Sequence, residues 1–155
     1  MSKEILILSL SWVIALYVLL MYIPKESRRL AHISFLFSQS IAWVIEYIQV
    51  LLGLVEFPTR EFSQATNMSF SLHYIVYPTF GVFFILLYPK DKGKPRMMIH
   101  YLLFSMAIST YSVFVEKYST LFEFHHWGWL IGVIMNLFLL YIVKKFTFWF
   151  GKGLS

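Results

Sequence analysis

Cysteine is absent from this chain of 155 residues. That excludes disulfides and thiolate metal sites, and it leaves the redox compartment unread. Charge is scarce too. Only 14% of residues are Asp, Glu, Lys or Arg, where a soluble globular domain carries about 25%. With 59% of residues hydrophobic and 20% aromatic, the chain has too little polar surface for a soluble domain. A net charge of +5 would suggest nucleic acid only if the bases formed a stripe on a soluble face. Here they fall between hydrophobic runs, so no nucleic-acid partner is expected. Also missing are a G-x-S-x-G elbow, a glycine-rich phosphate loop, an H-E-x-x-H helix and a pair of intramembrane aspartates. No cofactor can be read from the sequence. No tandem repeat, low-complexity tract or long linker divides the chain, so residues 1–155 read as one domain.

What is present is a series of five hydrophobic spans, about 5–23, 33–57, 72–88, 97–115 and 127–143. Each approaches or exceeds the roughly 17–25 residues that cross a bilayer as a helix. The third is short and interrupted by Pro78, which a membrane helix tolerates when neighbours satisfy the freed carbonyl. The first is too long for a signal-peptide core and lacks a small-residue cleavage site, so it reads as a retained span. The fold class expected is an all-α bundle of five transmembrane helices.

Basic residues set the orientation. Lys25, Arg28 and Arg29 follow span one, Lys90, Lys92, Lys94 and Arg96 follow span three, and Lys144, Lys145 and Lys152 follow span five. These ten of the thirteen bases share one side, which the positive-inside rule makes cytoplasmic. The N-terminus is then outside and the C-terminus inside. Glu4, Glu56, Glu61, Glu116 and Glu123 fall on the other side. The external connection Pro58–Ser71 holds an Asn67-Met68-Ser69 triplet that formally matches a glycosylation acceptor. Such triplets are common by chance. Trp12, Tyr22, Tyr88, Trp127 and Trp129 lie near span ends, where amphipathic rings anchor at the interface.

Three stripes carry the chemistry. In span two, Gln39, Ala42, Glu46, Gln49, Gly53 and Glu56 recur at intervals of three and four and so share a helix face. Glu46 reads as mid-membrane, and an ionisable group there costs about 2.5–3.5 kcal/mol on insertion scales. Such a group normally faces a bundle interior or a polar cavity. In span four, Ser105, Ser109, Ser112 and Glu116 share a face, where serines permit close packing and interhelical hydrogen bonds. In span five, Gly128, Gly132 and Asn136 recur at intervals of four. The two glycines are a helix-contact signature, for packing inside the bundle or against a homo-oligomer or membrane-protein partner. Asn136 needs a partner at its depth, and Glu46 or Gln49 is the natural candidate.

A further polar group gathers at the outer rim. Glu123, His125 and His126 precede Trp127, with Glu116 one loop away and with His73 and Glu56 at span ends on the same side. Imidazole and carboxylate together suit a divalent metal, though the spacing matches no standard motif. A solvated, hydrogen-bonded rim is the simpler reading.

The run from Tyr77-Pro78 through Tyr88-Pro89, then Tyr111-Ser112 and Glu116, then His126-Trp127-Gly128-Trp129 and Asn136 resembles a group of small multi-spanning proteins. That group comes from Bacillus- and Clostridium-type bacteria and has no established activity. The likeness covers mainly residues 72–146, and the histidine pair departs from the group's usual single His. It implies a multi-pass protein of the bacterial cytoplasmic membrane and joins Glu116, His126, Trp129 and Asn136 in one shared feature.

The sequence therefore favours a non-enzymatic membrane protein with an outward-open polar pocket. The pocket would bind or pass a small cation, a proton or an amphiphile, alone or as a subunit of a larger assembly. Its expected residues are Glu46, Gln49, Ser109, Ser112, Glu116, His126, Trp129 and Asn136. Two alternatives stand beside it. One is a structural or partner-binding subunit. The other is an intramembrane enzyme on a lipid or isoprenoid, with Glu46 or Glu116 as acid or base.

Overall fold

Helices form along each apolar run and end where proline or glycine makes continuation costly. The computed structural model describes residues 3–126 and 128–153. Helix α1 (Lys3–Tyr22) stops just before Pro24, and a single 3-10 turn, Lys25–Ser27, leads into α2 (Arg28–Leu51). Gly53 terminates α2 with φ +67°. Its amide bonds the Val50 carbonyl at 3.0 Å and the Leu54 amide bonds the Gln49 carbonyl at 2.9 Å. This Schellman closure uses the left-handed conformation that glycine adopts without strain.

The early stop corrects the second expected span. Residues 52–57 are not helical, and Gly53 and Glu56 leave the stripe. A two-residue strand β1 (Val55–Glu56) instead pairs antiparallel with β2 (Glu123–Phe124). Helix α3 (Leu72–Leu86) follows, its first five residues wound wide as a π-helical turn. Helix α4 (Gly93–Tyr118) starts earlier than its span, and α5 (Trp129–Lys152) runs well past residue 143. Lys144, Lys145 and Lys152 thus belong to a helix rather than to an irregular tail. Trp127, the first residue of the fifth span, lies outside the described residues.

Four segments, α1, 25–51, α4 and α5, are long and apolar enough to cross a membrane. At fifteen residues α3 is about 22 Å long, less than the roughly 30 Å of a hydrocarbon core. Neighbouring helices run in opposite directions. Ser11 reaches Tyr111, Gln39 reaches Tyr74, Phe84 packs on Tyr101, and Asn136 reaches Ser109. Ten bases therefore gather at one end, and both strands with the 58–71 loop form a cap at the other.

Helices α2 and α3 meet most closely at Gly81. A Cβ there would collide with the Ser38 hydroxyl and stand 2.9 Å from the Ser38 Cβ. The Ser34 hydroxyl donates to the Gly81 carbonyl at 3.2 Å. Buried Leu72, Ile75 and Val76 of α3 join Val115, Leu121, Phe122 and Phe57 in a core beneath the cap. A second core surrounds Phe84, with Ile85, Ile108, Leu140 and Val143. Tyr88 packs on Phe84 and Phe148 in that core, so its ring serves the bundle as well as an interface. Helix α1 buries only Leu8 and Ala15 and turns most of its apolar surface outward.

Glu61 fixes the cap to α3. Its carboxylate accepts the amides of Phe70 at 3.0 Å and Ser71 at 2.9 Å, together with the Ser69 hydroxyl. These are the unpaired N–H groups of a helix start, where negative charge is favoured. Partial burial opposes its ionisation. Hydrogen bonds from Ser71 and from the backbone outweigh that and hold the carboxyl below its ordinary value. Ser69 is fully buried in this arrangement, so only Asn67 of the glycosylation-like triplet faces outward.

Candidate functional site

Pro78 organises the site from within α3. Proline has no amide hydrogen for the carbonyl four residues back, and its ring crowds that carbonyl. The turn before it opens, and the Tyr77 amide reaches back to the Leu72 carbonyl rather than to the one at residue 73. The Tyr74 carbonyl receives the Gln39 side-chain amide from α2 at 3.1 Å. Widened turns of this kind recur at functional sites, and this one carries His73.

His73 is fully buried. Trp43, Phe57 and Tyr77 surround its ring at centroid separations of 5.5, 5.8 and 5.3 Å. Its Nδ1 lies 2.7 Å from the Ser69 carbonyl. A carbonyl only accepts, so Nδ1 carries the proton. Nε2 then faces Glu46 Oε2 at 3.5 Å, and no hydrogen bond among the described residues satisfies it. A proton shared at that contact would join carboxylic acid to imidazole or carboxylate to imidazolium. The Glu46 side chain is 17% exposed.

The exposure is to a cleft between α2, α4 and α5, floored by α3. Glu46, Gln49, His73, Tyr77, Ser109, Ser112, Trp129 and Asn136 line it among apolar residues such as Ile41, Leu139 and Val143. The cleft has a volume of about 100 Å³ and is open on one side. Among the described residues no Lys, Arg or Asp lines it, and Glu46 is its one carboxylate.

Several polar groups are already paired across helices. Asn136 Nδ2 donates to Ser109 at 3.0 Å, Tyr77 and Ser112 share a hydrogen bond of 3.2 Å, and Trp129 Nε1 donates to Thr110 at 3.2 Å. The expected Glu46–Asn136 contact is replaced by these. Asn136 meets Ser109, and Glu46 meets His73. Glu46 also stands nearer a helix end than expected. With α2 closing at Leu51, it lies about 7.5 Å from that end.

Six of the eight expected binding residues line one cleft: Glu46, Gln49, Ser109, Ser112, Trp129 and Asn136. The other two do not. Glu116 accepts the Phe124 amide at 3.0 Å and so ties β2 to the end of α4. His126 is exposed, with φ 58°. His125 pairs with Glu56 at 3.2 Å, both well exposed. Among the described residues no three His, Asp or Glu side chains could hold a metal. The metal reading of Glu123, His125 and His126 is therefore set aside.

Of the two expected contact glycines, Gly128 is reassigned. A Cβ on Gly128 would meet nothing within 4 Å, so Gly128 is no close helix contact. Gly128 and Gly132 border the cleft, where missing side chains leave room. Gly81 makes a close approach, against Ser38.

Sequence reasoning missed His73 and Tyr77 as cleft residues. His73, Tyr77 and Gly81 recur every four residues, so they share a helix face, and all three line the cleft. That signal was present. It was masked because a helix drawn to residue 57 set Glu46 at mid-membrane and His73 at the rim.

The arrangement can hold a proton, accept hydrogen bonds and receive an apolar body. No family model matches the chain, and no curated protein or solved structure shows significant similarity to it.

Proposed function

We propose that this chain is a non-enzymatic integral membrane protein whose working centre is the α2–α4–α5 cleft. It would reside in a bacterial cytoplasmic membrane, the setting the motif resemblance suggests, with its N-terminus and cap outside and its basic end in the cytoplasm. Support for insertion comes from the four long apolar helices and from large apolar side chains left outward, such as Leu20, Val13, Ile134 and Leu130. Ten bases at one end support the orientation. The cleft binds a small ligand or passes a proton or cation, with Glu46 as the group that responds to charge.

The observation that carries this reading is the Glu46–His73 contact at 3.5 Å in a cleft otherwise free of charged side chains. A carboxylate is expensive in such surroundings unless a proton, a cation or water neutralises it. A stripe serving only to hold helices together is met more cheaply by Ser and Asn, as the Ser109–Asn136 pair illustrates.

The cysteine-free sequence allows a direct test. A single cysteine at Asn136 should react with a membrane-impermeant thiol reagent added from the cap side. A control cysteine at Ile134, which is 57% exposed on the outer face of α5, should stay unlabelled in the lipid. An unreactive cysteine at 136, or equal labelling of both, would overturn the open-cleft reading.

A further inference from the structure

The ligand class follows from what the cleft offers at each point. Among the described residues its one acidic group is Glu46, and no basic side chain other than His73 reaches it. An anionic ligand would therefore meet a carboxylate with no lysine or arginine to offset it. The cap side supplies aromatic faces from Trp129, Phe122 and Phe124, and Tyr77 stands beside the pair. Such faces attract cations, most strongly when water is excluded. Asn136 spends one amide hydrogen on Ser109 and leaves its carbonyl oxygen as an acceptor. Toward the basic end the walls become aliphatic, with Ile41, Leu139 and Val143. This is a socket for a positive head and an apolar body.

Building on the open-cleft reading above, we propose that the cleft binds a lipophilic organic cation against Glu46 and that binding displaces the proton held between Glu46 and His73. The balance is simple. With the hydrogen of His73 on Nδ1, Nε2 and Glu46 Oε2 face each other at 3.5 Å as two acceptors, and the proton to be displaced is the one that would lie between them. When the cation arrives, Glu46 remains as carboxylate paired to it, and the displaced proton leaves through the open side to water. Imidazolium is not retained, since it would stand beside the incoming positive charge. One cation enters and one proton departs. Tyr77 is the other titratable group that faces the pair, and its hydroxyl is bonded to Ser112. Helix α2 contributes uncharged Gln49, α4 Ser109 and Ser112, α5 Asn136 and Trp129, and the cap Phe122 and Phe124.

Two probes of matched size and opposite charge test this on the purified full chain in neutral detergent. Tetraphenylphosphonium should bind saturably, and tetraphenylborate should neither bind saturably nor displace it. Affinity for the phosphonium should rise about tenfold per pH unit wherever one proton is released. A pH indicator in weakly buffered solution should count one proton per cation bound. Glu46→Gln should lower the affinity at least tenfold and abolish the proton release, while Glu46→Asp should retain part of both. Helical circular dichroism and elution volume identify any variant that fails to fold, and Glu46→Asp keeps the test open in that case.

Phosphonium binding that is equal in wild type and Glu46→Gln, or that releases no proton, overturns the proposal. So does displacement by tetraphenylborate. If the cysteine at 136 is labelled and the phosphonium does not bind, the cation proposal fails and the open-cleft reading stands. If the cysteine is unreactive, both fail.

Discussion

Gln39 on α2 supplies the hydrogen bond that Pro78 on α3 cannot make. The Gln39 side-chain amide donates to the Tyr74 carbonyl at 3.1 Å, four residues before the proline. The same proline opens the turn that carries His73 toward Glu46. A local backbone defect and a polar side chain on the next helix thus form one device.

That device can be taken apart by a double-mutant cycle. Gln39→Leu leaves the Tyr74 carbonyl unpaired and should cost about 1–3 kcal/mol, read as a lower unfolding temperature in detergent. Pro78→Ala restores a backbone donor, so Gln39→Leu should cost much less in that background. Equal costs in both backgrounds would show that the two residues are uncoupled.

Gly81 is the steric hinge of the α2–α3 contact. Gly81→Ala should destabilise the bundle by about 1–3 kcal/mol through overpacking against Ser38. Ser38→Gly in the same chain removes both atoms that a new Cβ would meet and should recover most of the loss. Thermal unfolding of the single and double variants checks it. Lack of rescue would locate the strain elsewhere.

Glu61 gives the cap a pH dependence whose sign is fixed. Its folded carboxyl titrates below its ordinary value, so it stabilises the fold above the unfolded pKa of about 4.3. That contribution disappears as pH falls through the folded value. Wild type should therefore lose cap stability on acidification, measured as amide exchange over residues 68–72. Glu61→Gln should be less stable at neutral pH and show a flatter acid response.

Orientation has its own measurement. If all five helices cross, reporter fusions at residue 92 and at the C-terminus should both be active only with cytoplasmic reporters. Opposite reports would mean that α4 or α5 does not cross, and two external reports would mean that a span before residue 92, the short α3 first among them, does not.

Filling the cleft separates space from packing. Because a Cβ on Gly128 meets nothing within 4 Å, Gly128→Leu should leave thermal stability within about 0.5 kcal/mol. It should also reduce thiol labelling of a cysteine at Asn136. A large loss of stability would return Gly128 to the role of a packing contact.

The sequence alone determined the all-helical class, the number of helices and their alternation. Apolar runs of membrane length and loops of one charge sign are local quantities, and a backbone in lipid has few solutions besides the helix. It also determined which faces of α2, α4 and α5 are polar, since helical periodicity is independent of neighbours. Only tertiary structure decided how those faces meet. The boundary of α2 hung on one glycine, Gly53, and the six residues after Leu51 became cap and strand rather than helix. That shift moved Glu46 toward the capped end and level with His73, so its partner lay on α3 rather than on α5. Side-chain pairing depends on depth and azimuth together, and both are set by where helices end and how closely they pack. Gly81 against Ser38 and the opened turn before Pro78 fixed those quantities, and no periodicity within a single helix could supply them.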